Sequence, residues 1–130
     1  RFGAPRIAFR TKSIKKHGIA FNLIFGGGTY FSAGEDTLFL YECLRKGLNI
    51  IAVPEFIATL TDSRPSTWFK GYTDKYFIDR GALFACMSRK WSKLLSFQYC
   101  LRHRKKFKHA KTFWEAYNLM KKGINEFKHY

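Results

Sequence analysis

At 130 residues the chain suits a single domain with room for a real core. Its 24 Lys and Arg outnumber nine Asp and Glu for a net charge of +15, which turns it toward an anionic partner. No apolar run approaches the length of a membrane-spanning helix, and the three cysteines form no CxxC pair and cannot all pair internally, so reduced thiols and a cytosolic setting are expected.

Arg1 opens the chain without a Met, and Ile7 to Phe9 reads almost at once as a short strand, as expected of a piece cut from a longer protein or of a processed N-terminus. Thr11 to His17 is polar and basic, a short helix or turn that Gly18 ends. Ile19 to Phe25 reads as a buried strand or extended segment running into Gly26, Gly27 and Gly28. Glycines let backbone approach a ligand closely and take conformations barred to other residues.

Ser32 and Glu35 have the spacing of a capping box, and Phe39, Leu40, Cys43 and Leu44 recur as an apolar stripe. This predicts a helix from about Glu35 to Lys46, stopped by Gly47 at C′. Asp36 falls in its first turn, at the end of the glycine loop, where a side chain can reach a substrate. The positive end of a helix dipole favours an ionised carboxylate. Such a group can accept a hydroxyl proton, orient that hydroxyl or help hold a metal ion. The same two acids also suit capping alone.

Asn49 to Val53 is a β-rich run closed by Pro54, which fits a buried strand, and Phe56 to Thr61 reads as a second one. Helix, tight Gly turn and apolar strand match the second half of a βαβ unit. Asp62 to Gly71 is a turn-rich loop around Pro65. In it Ser66 and Thr67 can bond backbone, and Trp68 offers a flat face for a sugar or plugs the core edge.

From Thr73 onward the pattern turns helical. Thr73 caps a segment with Tyr76, Phe77, Arg80, Leu83, Phe84 and Met87 at helical spacing, interrupted by Gly81. Trp91 to Leu101 and Lys111 to Lys122 predict two further helices, with the basic run Arg102 to Lys106 between them. Residues 1–88 carry a net +5, whereas residues 89–130, with twelve Lys and Arg against Glu115 and Glu126, carry +10. A membrane surface, nucleic acid or phosphorylated substrate would suit that tail.

Gly34-Glu35-Asp36-Thr37-Leu38-Phe39-Leu40, followed by Arg45-Lys46-Gly47-Leu48-Asn49-Ile50 and later by Pro65-Ser66-Thr67-Trp68, resembles the C-terminal part of bacterial family-2 glycosyltransferases of the GT-A fold. The likeness runs from about Phe2 to Ala85. With the helical pattern over 73–130 read as an all-helical basic extension packing on the rest, the likeness implies an α/β fold whose residues 1–72 form the acceptor-side part of a GT-A-like mixed sheet with few strands. It also implies an inverting transfer of a sugar from a nucleotide-sugar donor to the hydroxyl of a carbohydrate or lipid-linked acceptor, in bacterial surface polysaccharide or glycolipid synthesis. By resemblance Asp36 is the catalytic base and Glu35 helps shape the acceptor site, while Gly26, Gly27 and Gly28 lie beside donor sugar and acceptor. The Asp62 to Trp68 loop, with Ser66, Thr67 and Trp68, corresponds to one that closes over the nucleotide diphosphate. Some members place a metal-binding His there; this loop has none, leaving Asp62 as a candidate substitute.

The family's nucleotide-binding half, with the DxD motif that holds Mg²⁺ or Mn²⁺ on the diphosphate, has no counterpart in the sequence. The resemblance therefore implies an acceptor-side half, with the Mg or Mn of the whole enzyme held mainly by the absent part. No cofactor and no activity are expected of these residues alone. The basic tail over 89–130 reads as a peripheral anchor on the anionic inner face of the cell membrane, with Trp91, Phe113, Trp114 and Tyr117 at the interface, or as a solvated basic face whose aromatics pack on the catalytic domain. A sheet lacking its other strands would expose an edge, so self-association is expected. The rival reading is a basic nucleic-acid-binding or interaction module without catalysis. Against it, no zinc-finger spacing, RNP pattern or helix-turn-helix signature is present, and no specific nucleic acid is expected. His17, His103, His109 and His129 show no paired ligand spacing.

Overall fold

A computed structural model describes residues 7–56 and 69–130. The first two helices, α1 (Thr11–Lys16) and α2 (Glu35–Arg45), end in the same way. Gly18 at φ +57° and Gly47 at φ +78° follow the last turns, a left-handed conformation that favours glycine. After α1 the Ile19 N–H donates to the Ile14 carbonyl and the Gly18 N–H to that of Lys15; after α2 the Leu48 N–H donates to Cys43 and the Gly47 N–H to Leu44. These are the paired bonds of a Schellman stop, and the Gly47 stop is the one its sequence predicts. Ile19 and Leu48 then pack back into one small cluster with Ile14, Phe39 and Cys43. Lys46 Nζ ties the two helix ends together, donating to the His17 carbonyl at 2.6 Å.

Three longer helices follow: α3 (Asp74–Met87), α4 (Ser92–Phe107) and α5 (Phe113–Phe127). Thr73 caps α3 as expected, its hydroxyl oxygen accepting the Tyr76 N–H at 3.3 Å. Thr112 and Glu115 form a reciprocal capping box at the start of α5. The helix expected to stop at Leu101 runs on to Phe107, so Arg102 to Lys106 are its last turns. Positive charge suits that end of the helix dipole.

α3 and α5 cross with their backbones in contact. A Cβ on Gly81 would lie 2.0 Å from the Met120 carbonyl oxygen, and one on Gly123 would lie 1.9 Å from that of Ile78. Phe77, Cys100, Phe107, Ala116 and Met120 form the buried core between α3, α4 and α5. The segment before α3 joins this bundle through Phe25, Phe31 and Leu38, which pack against Ala82 and Leu83.

The expected α/β fold with a GT-A-like mixed sheet is not what forms. Among the described residues there is no sheet, and Phe25 and Phe31 make an isolated β-bridge. A β-rich run fits a pleated surface, yet a strand also needs a neighbour to take its backbone hydrogen bonds. Ile7 to Phe9, Ile19 to Leu23 and Asn49 to Phe56 meet no such neighbour among the described residues, and Ile24 and Phe25 meet only the short return at Phe31. Ile51 and Phe56 are left 78% and 82% exposed. Residues 57–61 of the second expected strand lie outside the described residues. Within the described residues no helix is long and apolar enough to cross a membrane.

Candidate functional site

The glycine loop is built from its two ends inward. Phe25 and Phe31 are buried, with their rings stacked 5.0 Å apart, so the residues between them are forced out as a tight turn. The Gly26 N–H donates to the Phe31 carbonyl at 2.9 Å, and the Phe31 N–H returns to Ile24 at 3.2 Å. The Thr29 hydroxyl lies 2.9 to 3.0 Å from the carbonyls of Ile24, Gly26 and Phe31, closing the turn from inside. Gly26 at φ +133° and Gly28 at φ +83° take conformations that a side chain would resist. Gly27 and Gly28 present exposed backbone.

A buried carboxylate on α3 fixes where this turn points. Asp79 accepts the Ser32 N–H at 3.1 Å and the Ser32 hydroxyl at 2.5 Å. It also receives the Lys75 ammonium, one helical turn earlier, in an ion pair. Lys75 in turn donates to the Tyr30 carbonyl at 2.5 Å. One Lys–Asp pair therefore holds two successive points at the end of the loop.

This arrangement corrects the capping box expected between Ser32 and Glu35. The Ser32 hydroxyl is taken by Asp79, and the N-cap of α2 is Gly34, at φ +127° and with no side chain to offer. A Cβ there would lie 3.0 Å from Leu83 Cδ1, so glycine also serves the packing of α2 on α3. Glu35 instead folds back, its Oε2 accepting the Gly34 N–H at 3.0 Å.

Glu35 thereby comes against the glycine loop: a Cβ on Gly26 would lie 3.5 Å from its carboxyl carbon. Asp36 follows in the first turn of α2, half-buried, with Oδ1 shielded from solvent. Gly26 and Glu35 are thus brought together, with Asp36 the next residue of α2 and Gly27 and Gly28 at the exposed tip of the loop. Ser66, Thr67, Trp68 and Asp62 lie outside the described residues. A depression of about 520 Å³ opens among residues 18–22, α2 and the end of α3, with Leu38, Tyr41, Glu42 and Cys86 in its wall; the acidic pair and the glycine loop do not line it.

Among the described residues no three His, Cys, Asp or Glu converge on a point where a metal ion could sit. The side chains described here do not fit Mg²⁺ or Mn²⁺, so no step is routed through such an ion. Asp79 and Lys75 are the site residues that motif reading passes over. The signal was there: Asp79 falls on the buried stripe between Tyr76 and Leu83, and a carboxylate on such a stripe needs a partner, which Lys75 supplies from position i−4. Compared with known proteins, the chain matches no family model, no curated protein and no solved structure.

Proposed function

We propose that the turn around Gly26 and the first turn of α2 form the acceptor side of an inverting glycosyl transfer, with Asp36 as the base. The observation that carries the reading is the packing of buried Gly26 against Glu35, one residue before Asp36, with the exposed backbone of Gly27 and Gly28 next to it in a loop whose far end is held by Asp79 and Lys75 of a separate helix. Glycine backbone leaves room for a bulky sugar, and two adjacent carboxylates suit hydroxyl groups that must be held and deprotonated.

In this reading Asp36 takes the proton of the acceptor hydroxyl as that oxygen bonds to the anomeric carbon from the face opposite the diphosphate. The bond from that carbon to the diphosphate oxygen breaks, and the nucleotide diphosphate leaves with the electron pair. Glu35, held against the Gly34 N–H, lines the acceptor side. The sequence carries no DxD pair, so donor binding is assigned to residues beyond these 130. The product class is a bacterial surface polysaccharide or glycolipid.

The test is a screen of nucleotide sugars against the full gene product, read as acceptor-dependent release of nucleotide. Release with one donor supports the reading, and silence with every donor and acceptor class overturns it. In calorimetry residues 1–130 alone should show no tight binding of UDP- or GDP-sugars. Micromolar binding would contradict the assignment of the donor site elsewhere.

A further inference from the structure

We propose that the outward face of α4, extended by Trp114 of α5, is a docking surface for an anionic phospholipid bilayer. The proposal does not depend on the glycosyl-transfer reading. It starts from the way α4 is turned. A helix packed on a core buries its large apolar side chains. Before its last residue, Phe107, the residues α4 fully buries are Ser92, Ser96 and Cys100, small and four apart, while Leu94 and Leu101 stand 57% and 53% exposed. Trp91, at the N-cap, and Phe97 share that outward face, exposed by 52% and 38%. Phe97 meets Phe113 edge-on at 5.3 Å and Phe113 meets Trp114 at 5.0 Å, which carries the apolar surface onto α5, where Trp114 is 64% exposed.

Charge continues the stripe along the same face. Arg104, Lys105 and Lys108 follow at helical spacing, and with Lys111 they line a groove of about 290 Å³ floored by Phe107 and Phe113. Lys111 is paired with Asp74 at 2.7 Å, whereas Arg104, Lys105 and Lys108 enter no ion pair among the described residues. α4 itself contains neither Asp nor Glu. Exposed Leu, Phe and Trp followed by unpaired Lys and Arg are the surface chemistry of a helix lying in a bilayer interface, acyl chains against one part and lipid phosphates against the other. A nucleic acid would use the cations and the aromatic rings, but has no complement for Leu94 and Leu101. A second copy of the same face would bring like charges together.

Cosedimentation of the 130-residue chain with vesicles tests this, using phosphatidylcholine alone or with about one-third phosphatidylglycerol. We expect binding to the anionic vesicles at least roughly tenfold stronger than to the neutral ones, weakened by salt, with a blue shift of Trp emission. Leu94→Gln with Leu101→Gln, which keeps every charge, should weaken binding roughly tenfold or more. Arg104→Glu with Lys105→Glu should do the same if the double Leu variant fails to fold. Wild-type protein that stays in the supernatant, or either folded variant binding as wild type does, overturns the proposal. So does retention of a random single-stranded oligonucleotide, or association between copies, that the Leu variant abolishes while vesicle binding persists.

Discussion

Asp79 shows how much one side chain can decide. It is 4% exposed, and what it holds is the far end of the loop rather than its own helix. Asp79→Ala leaves the Ser32 N–H and hydroxyl without their charged acceptor. Bonds to charged groups contribute roughly 1.5–3 kcal/mol each, and part is recovered by water at the loop, so a loss of about 2–3 kcal/mol in urea unfolding is expected. Lys75→Ala should cost less, roughly 1–2 kcal/mol: the Lys75 side chain is half in solvent and Asp79 keeps both Ser32 bonds, but the buried carboxylate loses the cation that compensates it. No loss for Asp79→Ala would mean that the loop is held by its phenylalanines alone. The same residue explains why the Ser32–Glu35 pattern misled: spacing identifies the pair, but not a competitor for the Ser32 hydroxyl 47 residues further on.

Among the helices, Gly81 and Gly123 carry the most weight. Read locally, Gly81 only weakens α3, by about 1 kcal/mol relative to Ala. In the bundle it is what lets α3 reach α5, and the atom in the way of a Cβ is a backbone carbonyl that cannot swing aside. Gly81→Ala should therefore destabilise despite its gain in helix propensity, by roughly 1–3 kcal/mol or more. A raised thermal midpoint would contradict the close crossing.

His103 on α4 gives the bundle an acid limb. Its ring lies 4.5 Å from Tyr99. Burial, then the charges of Lys106, Arg102 and Arg80, hold its pKa below the ordinary 6.5. The unfolded chain then takes up the proton at higher pH than the folded one. Stability should fall as pH drops from above 6.5 toward the lowered value, and His103→Gln should flatten that window in urea midpoints. The hydrogen bonds that lower Glu42 and Glu115 act in a separate window, below about 4.5, where stability present at neutral pH is lost on acidification. An NMR titration placing His103 at or above 6.5 would contradict its partial burial beside Tyr99 and the charges of Lys106, Arg102 and Arg80.

At the scale of the molecule, the helices were legible and the lack of a sheet among the described residues was not, for one physical reason. A helix satisfies its own backbone, so caps at Thr73, a stop at Gly47 and the apolar stripe of α2 specify it locally. A strand is completed only by another strand, and the run from Asn49 to Val53 records an apolar, β-favouring segment without recording a neighbour. The acidic pair and the glycines could be singled out as candidates from sequence, and Asp79 needed a partner on its buried stripe, but the bond from Asp79 to Ser32 could not be read because it joins residues 47 apart. Ile50, Ile51, Val53 and Phe56 together make an exposed apolar stretch, which predicts concentration-dependent association of the chain in analytical ultracentrifugation. A single monomeric species over the whole concentration range would contradict that.

The most direct measurement on the central claim is turnover by the full gene product, wild type against Asp36→Asn, once a donor is found. If Asp36 takes the acceptor proton, nucleotide release should fall by roughly 10²–10⁴ while donor KM stays close to that of wild type. Glu35→Gln, altering the acceptor side, should raise acceptor KM more than it lowers kcat. Turnover by Asp36→Asn equal to wild type would contradict the account, and would leave Asp36 as an acid that serves only the first turn of α2.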